Sequence, residues 1–118
     1  MSLEKNIDVL GIGNAIIDVI ANADDAFLES HNLNKGSMTL VDETISKNIY
    51  AEMKNKVQMS GGSAANTIFG LSELGCKSAF IGKRSDDELG NIFHSDLVNS
   101  NIIFTTSPLD TGAASARC

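Results

Sequence analysis

Residues 61–66 read Gly-Gly-Ser-Ala-Ala-Asn and lead into an apolar stripe with helical spacing. Two adjacent glycines permit positive φ angles and a close approach of the backbone to a ligand. We predict a helix from Ala64 that ends at Gly75, with Ser63 as its N-cap. The unpaired amides at such a helix start, together with the Asn66 side chain one turn on, can meet a ligand. An ordinary Gly-Gly turn with a serine cap is the alternative, and it leaves the run of small residues unexplained.

The segment before this helix start contains two short apolar strands and an acidic residue. Residues 7–12 and Ile16–Ile20 are β-branched and apolar, as strands in a buried sheet are. Asp18 interrupts the second run, so its carboxylate either faces solvent at a strand edge or accepts hydrogen bonds from the hydroxyls of a ligand. Asn14 lies near the turn between the strands and adds a donor and an acceptor. This pair suits a vicinal diol, because a carboxylate accepts from two hydroxyls at once.

Alternating apolar runs and amphipathic stretches predict an α/β fold for the rest of the chain. The expected helices are a short one capped by Asp24 or Asp25, one capped by Asp42, and one opened by a capping box of Ser85 and Glu88. Further strands are expected at residues 38–41, 57–59, 78–82 and 102–105. The predicted order is β-β-α-β-α-β-α-β-α-β-β.

The composition is that of one folded domain with an acidic balance. The 118 residues carry nine Lys and Arg against fifteen Asp and Glu, a net charge of −6. Since phosphate contacts need clustered cations, this balance argues against a nucleic-acid partner and against an anionic membrane surface. No apolar run approaches the ~20 residues that span a bilayer, and no signal-peptide pattern is evident. Cys76 and Cys118 are isolated thiols, so we expect a reduced, cytoplasmic protein without a metal site.

Other phosphate-binding motifs are weak in this sequence. A dinucleotide-binding loop starting at residues 11–13 would need a third glycine where Ile16 stands, and no P-loop is present. Lys83 and Arg84 follow a predicted strand. They either bind phosphate or belong to a solvated loop before the next helix.

Taken together, these residues resemble the N-terminal signature of the ribokinase (PfkB) family of sugar and nucleoside kinases. The Gly-Gly-x-Ala-x-Asn signature is specific when Asn14 and Asp18 precede it. Ile68 stands where the family usually has a small residue and Ser85 where it usually has glycine, and both departures concern packing or turn shape. The remaining matches to the family are residues 9–14, Gly75, residues 81–82 and residues 86–90. Residues 33–38 and 111–118 resemble most closely its adenosine-kinase-like bacterial branch.

The resemblance implies a ribokinase-like fold, in which helices flank a Rossmann-type central sheet and a small β-sheet forms a lid. The lid strands would follow Asn14, surround Met38 and Met59, and include residues 113–118. Residues 1–118 would then be the N-terminal, substrate-binding part of a single domain whose C-terminal ATP-binding half is absent.

The same resemblance implies that the substrate binds between lid and sheet. Asp18 would accept hydrogen bonds from two sugar hydroxyls, while Asn14 and Asn66 orient the sugar. Ile16 and Met38 would line the face that meets the base or other substituent, and the backbone at the helix start would approach the sugar closely. The expected substrate-binding residues are Asn14, Ile16, Asp18, Met38, Gly62, Ser63 and Asn66.

Members of the family transfer the γ-phosphoryl group of ATP to a primary hydroxyl, and the resemblance implies ATP and Mg²⁺ as cofactors. Such transfer depends on positioning and charge stabilisation, and lid closure would exclude water. The catalytic base of the family is an Asp in a Gly-Ala-Gly-Asp-type motif of the C-terminal half, and no such motif occurs in this sequence. We therefore expect no catalytic, cofactor-binding or metal-binding residue in this chain, and no activity from it alone.

Adenosine is the leading substrate by this resemblance. One alternative is another kinase of the family, acting on ribose, fructose or a ketodeoxy sugar acid. Another is a non-enzymatic binding module, although half a sheet would leave an unpaired edge and exposed apolar surface. The expected partners are a small-molecule sugar or nucleoside and, through the lid, a second copy of the chain.

Overall fold

The computed structural model describes residues 6–118, and these form five strands and four helices. The strands are β1 (Val9–Ile12), β2 (Ile16–Ile20), β3 (Val57–Gly61), β4 (Ser78–Ile81) and β5 (Ala116–Arg117). The helices are α1 (Asp25–Ser30), α2 (Glu43–Glu52), α3 (Ser63–Glu73) and α4 (Glu88–Asn99). Two compact units are present: the sheet unit, formed by residues up to Asp18 with Gln58–Cys118, and the helical unit, Val19–Val57. Within residues 6–118, every helix is too short or too polar to cross a membrane.

Parallel strands organise the sheet unit and confirm the predicted α/β class. β1 pairs with β4 along its whole length, starting with Val9 opposite Ser78. Ile103 extends this pairing beyond β4, because the Phe80 amide donates to its carbonyl at 2.9 Å and its own amide donates to the Ser78 carbonyl at 3.0 Å. The strand predicted at residues 102–105 is thus reduced to a single bridge, although the segment keeps the alternating burial of a strand.

Three phenylalanine rings occupy the centre of the core of the sheet unit. Phe80 of β4, Phe93 of α4 and Phe104 have ring centroids 5.5 to 5.9 Å apart. Leu89 and Leu97 of α4 are buried with Phe93, as their helical spacing predicts. Each tilted ring pair adds about 0.5–1.5 kcal/mol beyond the burial of its area.

A second sheet has the strand order β3-β2-β5. β5 runs parallel to β2, with Ile16 opposite Ala116. Three of the four strands predicted for the small sheet are therefore confirmed, and its role as a lid stays a prediction. The fourth strand, predicted at residues 38–41, is wrong because that segment has no regular secondary structure. A strand persists only where a neighbour accepts its hydrogen bonds and covers its apolar side chains. Met38 and Leu40 are instead 87 % and 93 % exposed.

The helical unit contains α1 and α2, and both begin at aspartate caps. Asp24 accepts a hydrogen bond from the Phe27 amide at 2.8 Å, and Asp42 accepts one from the Ile45 amide at 2.8 Å. Each cap of this kind stabilises its helix by about 1 kcal/mol. Asp42 is the predicted cap, and Asp24 is one of the two residues predicted for α1.

The caps of α3 and α4 differ from the prediction. Gly62 is the N-cap of α3, with a φ of 90° and no side-chain hydrogen bond, so Ser63 already lies in the first turn. Asp87 is the N-cap of α4, where its carboxylate accepts from the Gly90 amide at 2.8 Å. Ser85 is too early in the chain to cap this helix, since the cap must immediately precede the first helical residue.

Candidate functional site

The turn between β1 and β2 lies against the backbone that precedes α3. A Cβ atom at Gly62 would lie 3.3 Å from the carbonyl oxygen of Asn14 and 3.8 Å from Cδ1 of Ile16. A Cβ atom at Gly61 would overlap the carboxylate of Asp18. The glycine pair therefore lets the backbone touch three of the predicted site residues, and Gly62 also has a positive φ that L-residues rarely adopt.

Two more glycines bring the strand ends together at the same place. A Cβ atom at Gly13 would lie 2.7 Å from the Cβ of Ala64, and one at Gly82 would lie 2.6 Å from the carbonyl oxygen of Gly13. The carboxyl ends of β1 and β4 thus meet the first turn of α3 at one edge of the parallel sheet. We call this place the glycine corner. Ligands of open α/β sheets bind outside the carboxyl ends of the strands.

Ser63 and Asn66 belong to the first turn of α3 beside the glycine corner. The Asn66 amide donates to the Gly62 carbonyl at 2.9 Å, and both Ser63 and Asn66 are exposed. Asp18 is half-buried on β2. Of the predicted site residues, Asn14, Ile16 and Asp18 therefore lie against the glycine pair, and Ser63 and Asn66 follow Gly62 in the first turn of α3.

Met38 belongs to the helical unit and is not among these residues. It lies in the irregular segment before α2, where its side chain is almost fully exposed. Its assignment to the substrate site stays a prediction from the family resemblance.

A depression of about 250 Å³ lies next to the glycine corner and was not predicted from the sequence. It is lined by residues 14–16, 83–85 and 113–116 and by Leu109. Arg84 is buried here, so the expectation that it belongs to a solvated loop is wrong. Alternate residues of an extended segment face opposite sides, which turns Arg84 inward while Lys83 stays exposed.

Asp87 connects two of the segments that line this depression. One of its carboxylate oxygens accepts from the Gly90 amide and the other from the Ser115 amide, both at 2.8 Å. The Ser85 amide donates to Ser115 Oγ at 2.9 Å. A Cβ atom at Gly90 would overlap the Ser85 carbonyl, so this network requires glycine there. The Asp-x-x-Gly spacing was the sequence signal for this arrangement.

The hydrogen bonds to Asp87 also change its acidity. Burial alone raises the pKa of Asp87, but hydrogen bonds from Ser115 and Gly90 and the charge of Arg117 lower it by more. The pKa of the carboxyl therefore lies below its usual value of 3.8. Asp87 is thus ionised at neutral pH.

Three relatives bear on the family of this chain. The adenosine kinase from Sinorhizobium meliloti is a solved structure with 44 % identity and a TM-score of 0.80, and the match covers 96 % of this chain and 35 % of that chain. Guanosine-inosine kinase from Escherichia coli K12 is 29 % identical over 99 residues, 79 % of this chain and 23 % of its own length. The 5-dehydro-2-deoxygluconokinase from Halalkalibacterium halodurans is 29 % identical over 119 residues, 97 % of this chain and 29 % of its own length.

The chain is a homologue of the N-terminal portion of PfkB-family kinases. It spans between 23 % and 35 % of the length of these three relatives. No protein-family model matches the chain. The likeness to the adenosine kinase structure confirms the ribokinase-like fold that the sequence predicts.

The two departures from the PfkB-family pattern have structural explanations. Ile68 packs against β1, where a Cβ atom at Gly11 would lie 2.5 Å from its Cγ1. Ser85 forms a bridge with Leu109 in addition to its hydrogen bond with Ser115. Both positions therefore concern packing and loop shape, as predicted.

Proposed function

We propose that this chain is the substrate-binding N-terminal portion of an ATP-dependent kinase that phosphorylates a primary hydroxyl of a nucleoside or sugar. The observation that carries the proposal is the contact of Asp18 with the glycine pair, since a Cβ atom at Gly61 would overlap its carboxylate. The backbone carbonyl of Asn14 faces the neighbouring Gly62. Adenosine is the leading substrate, because an adenosine kinase and a guanosine-inosine kinase are among the relatives.

A carboxylate in this position can hold a diol. Ionised Asp18 only accepts hydrogen bonds, so its two oxygens can take the hydrogens of two neighbouring hydroxyls. The amides of Asn14 and Asn66 each offer a donor and an acceptor, which would set the orientation of the sugar ring. The backbone at Gly62 and Ser63 carries no bulk that would keep the sugar away, and Ile16 offers an apolar contact for the base.

The part of catalysis that we assign to this chain is positioning of the acceptor. Phosphoryl transfer gains most of its rate from positioning and from charge stabilisation. ATP supplies the phosphoryl group when bound, and we propose that ATP, Mg²⁺ and the catalytic base belong to residues outside this chain. Within residues 6–118, no three His, Cys, Asp or Glu side chains are grouped as a metal site requires.

One face of the parallel sheet supports a role within a larger domain. Leu10, Ile12, Ile81 and Ile103 are all exposed. The strand register places these four side chains on the same face, because paired residues point to the same side of a sheet. Folded proteins rarely leave contiguous apolar surface of this kind uncovered. A kinase domain, whose further elements would cover this face, therefore explains the exposed side chains better than a separate binding module does.

A free sugar or sugar acid is the second candidate substrate. The 5-dehydro-2-deoxygluconokinase matches nearly the whole chain. The glycine corner recognises hydroxyl groups, and neighbouring hydroxyls occur in sugars as well as in nucleosides.

We also propose a cytoplasmic location and pairing of two copies through the β3-β2-β5 sheet. Cys76 and Cys118 are both free thiols, which suits a reducing compartment. Val57 and Met59 lie on the edge strand β3 and are exposed, so a second copy could cover them. The net charge of −6 disfavours nucleic acid as a partner.

The test is a thermal-shift titration of the complete protein with adenosine, ribose and fructose. We expect adenosine to raise Tm, because a ligand at a hundred times its Kd stabilises by about 2.7 kcal/mol. Asp18→Asn should abolish this rise, because the amide nitrogen donates and leaves one acceptor atom where the carboxylate offers two. Asp25→Asn is the matched control, since Asp25 lies on α1 with its side chain 76 % exposed. Stabilisation by hexoses alone, or an adenosine effect that survives Asp18→Asn, would contradict the proposal.

A further inference from the structure

The depression beside the glycine corner has an unusual charge for this chain. Its lining contains Lys83 and Arg84 and no Asp or Glu. The chain as a whole carries a net charge of −6. Two cations have therefore been placed together in a pocket without acidic side chains, in a protein whose excess charge is negative.

Arg84 is the more informative of the two cations, because it is only 8 % exposed. Its Nη1 donates to Asn91 Oδ1 at 3.0 Å and to the Ser85 carbonyl at 3.4 Å, and both acceptors are neutral. Its Nε is buried without a hydrogen-bond partner among the described residues. A buried charge is stable only when it is paired and its donors are satisfied, so this guanidinium lacks its anion.

The neighbouring carboxylate of Asp87 does not neutralise Arg84. Its oxygens accept from the Gly90 and Ser115 amides, and the ion pairs formed within residues 6–118 do not include Arg84. The Asp87 network keeps residues 85 and 115 in place on two sides of the depression, and leaves the positive charge of Arg84 unmatched.

We propose that this depression binds a phosphate group, with Arg84 and Lys83 as its ligands. A guanidinium presents several donors in a planar fork that matches phosphate oxygens, and a lysine ammonium adds a mobile point charge. Lys83 Nζ now donates to the Ser107 carbonyl at 2.7 Å on an exposed side chain, so it can exchange that partner for an anion. The volume of about 250 Å³ exceeds the ~30 Å³ share of one water molecule and leaves room for a tetrahedral anion.

This inference goes beyond the proposed function, because neither Lys83 nor Arg84 is among the residues assigned to the substrate hydroxyls. The phosphate group can come from free inorganic phosphate or from a phosphate monoester. Both sources offer the same dianionic head, and they differ in whether the rest of the molecule contributes contacts along residues 113–116.

The experiment is a thermal-shift titration of the complete protein with sodium phosphate against sodium chloride at equal ionic strength. We expect a saturable rise in Tm that is specific to phosphate. Lys83→Met should weaken the apparent affinity about tenfold, since a charge-assisted hydrogen bond is lost. Arg84→Met should abolish the effect. If that variant does not fold, Arg84→Lys replaces it, because lysine keeps the positive charge but lacks the planar set of donors. Lys77→Met is the matched control, because Lys77 is exposed and does not line the depression.

A second phosphate site elsewhere in the complete protein would respond equally in all variants, so the difference between Lys83→Met and Lys77→Met decides the question. Equal titrations for these two variants, or no phosphate-specific rise in the wild type, overturn the proposal. Titration with ribose 5-phosphate identifies the source: a tighter response than to inorganic phosphate indicates an ester, and an equal response indicates free phosphate. The adenosine effect and its dependence on Asp18 are measured separately, so the two proposals fail independently.

Discussion

The sheet unit and the helical unit hold their side chains in different ways. In the sheet unit, Phe80, Phe93 and Leu97 are at most 1 % exposed. Phe80 of β4 packs against Phe93 of α4. In the helical unit, no residue from Val19 to Val57 is fully buried. The backbone of the glycine corner is therefore held by close contacts at Gly13, Gly62 and Gly82, whereas Met38 has no comparable support in its own unit. The same kind of substitution should have unequal effects in the two units.

The largest effect is expected from truncating a core ring. Phe80→Ala should lower the free energy of unfolding by about 3–5 kcal/mol, because it removes ring contacts and leaves a cavity. Phe27→Ala is the matched change in the helical unit, where the half-buried ring contacts the tilted ring of His31 with centroids 4.6 Å apart. Its cost should be about 1 kcal/mol. Urea unfolding of the complete protein measures both, and equal costs would remove the distinction between the units.

A second test adds one methyl group to the glycine corner. Gly61→Ala should destabilise by about 1–3 kcal/mol, since the new Cβ would overlap the Asp18 carboxylate and force it away. Binding of adenosine should be lost with the displaced carboxylate. Gly70→Ala is the control, because no atom lies within 4 Å of a Cβ there. This helical position should become more stable by about 0.5–1 kcal/mol. If Gly61→Ala leaves the free energy of unfolding unchanged, the Asp18 carboxylate is not packed against Gly61 as closely as the structure shows.

Regular elements with many neighbours could be predicted from the sequence alone. β2 was predicted with its observed bounds, because a run of β-branched residues favours a strand. The apolar face of α4 was also predicted correctly. The pairing of Asp18 with the glycine pair followed from a resemblance, and the contact of Gly61 with that carboxylate gives it a geometric basis.

What could not be predicted depends on contacts that are distant in the chain or on backbone dihedrals. Gly62, with its positive φ, is the N-cap in place of Ser63; the glycine pair permits such an angle, but the sequence does not show at which residue the helix begins. Alternation along the extended segment turns one of Lys83 and Arg84 inward, but which one depends on Leu109 and residues 113–116, which line the same depression and are distant in the chain. The apolar run at residues 38–41 matched a strand in composition and had no neighbouring strand to join.

A third test asks whether the charge of the Asp87 carboxylate stabilises the N-terminus of α4. Asp87→Asn should cost about 1 kcal/mol at neutral pH, because the amide is a weaker acceptor for the Gly90 and Ser115 amides. The folded pKa of Asp87 lies below the usual 3.8, so its stabilisation is complete above that value and is lost as the pH falls through the folded pKa. Stability curves of wild type and variant, measured by urea unfolding, should therefore converge in acid. A constant difference down to strongly acidic pH would mean that the carboxylate charge is not involved.

The smallest effect on stability is expected at Met38. Met38→Ala should change the free energy of unfolding by less than about 0.5 kcal/mol, because the side chain is 87 % exposed and has few contacts to lose. If Met38 contacts the substrate, as the family resemblance implies, and the complete protein has the proposed kinase activity, its KM for adenosine should nevertheless be raised. Leu40→Ala is the matched control, since Leu40 is 93 % exposed in the same irregular segment and was not assigned to the site. Equal kinetics for the two variants would restrict substrate binding to the glycine corner. A raised KM in Met38→Ala alone would mean that a residue with almost no packing in its own unit gains its contacts only from the substrate.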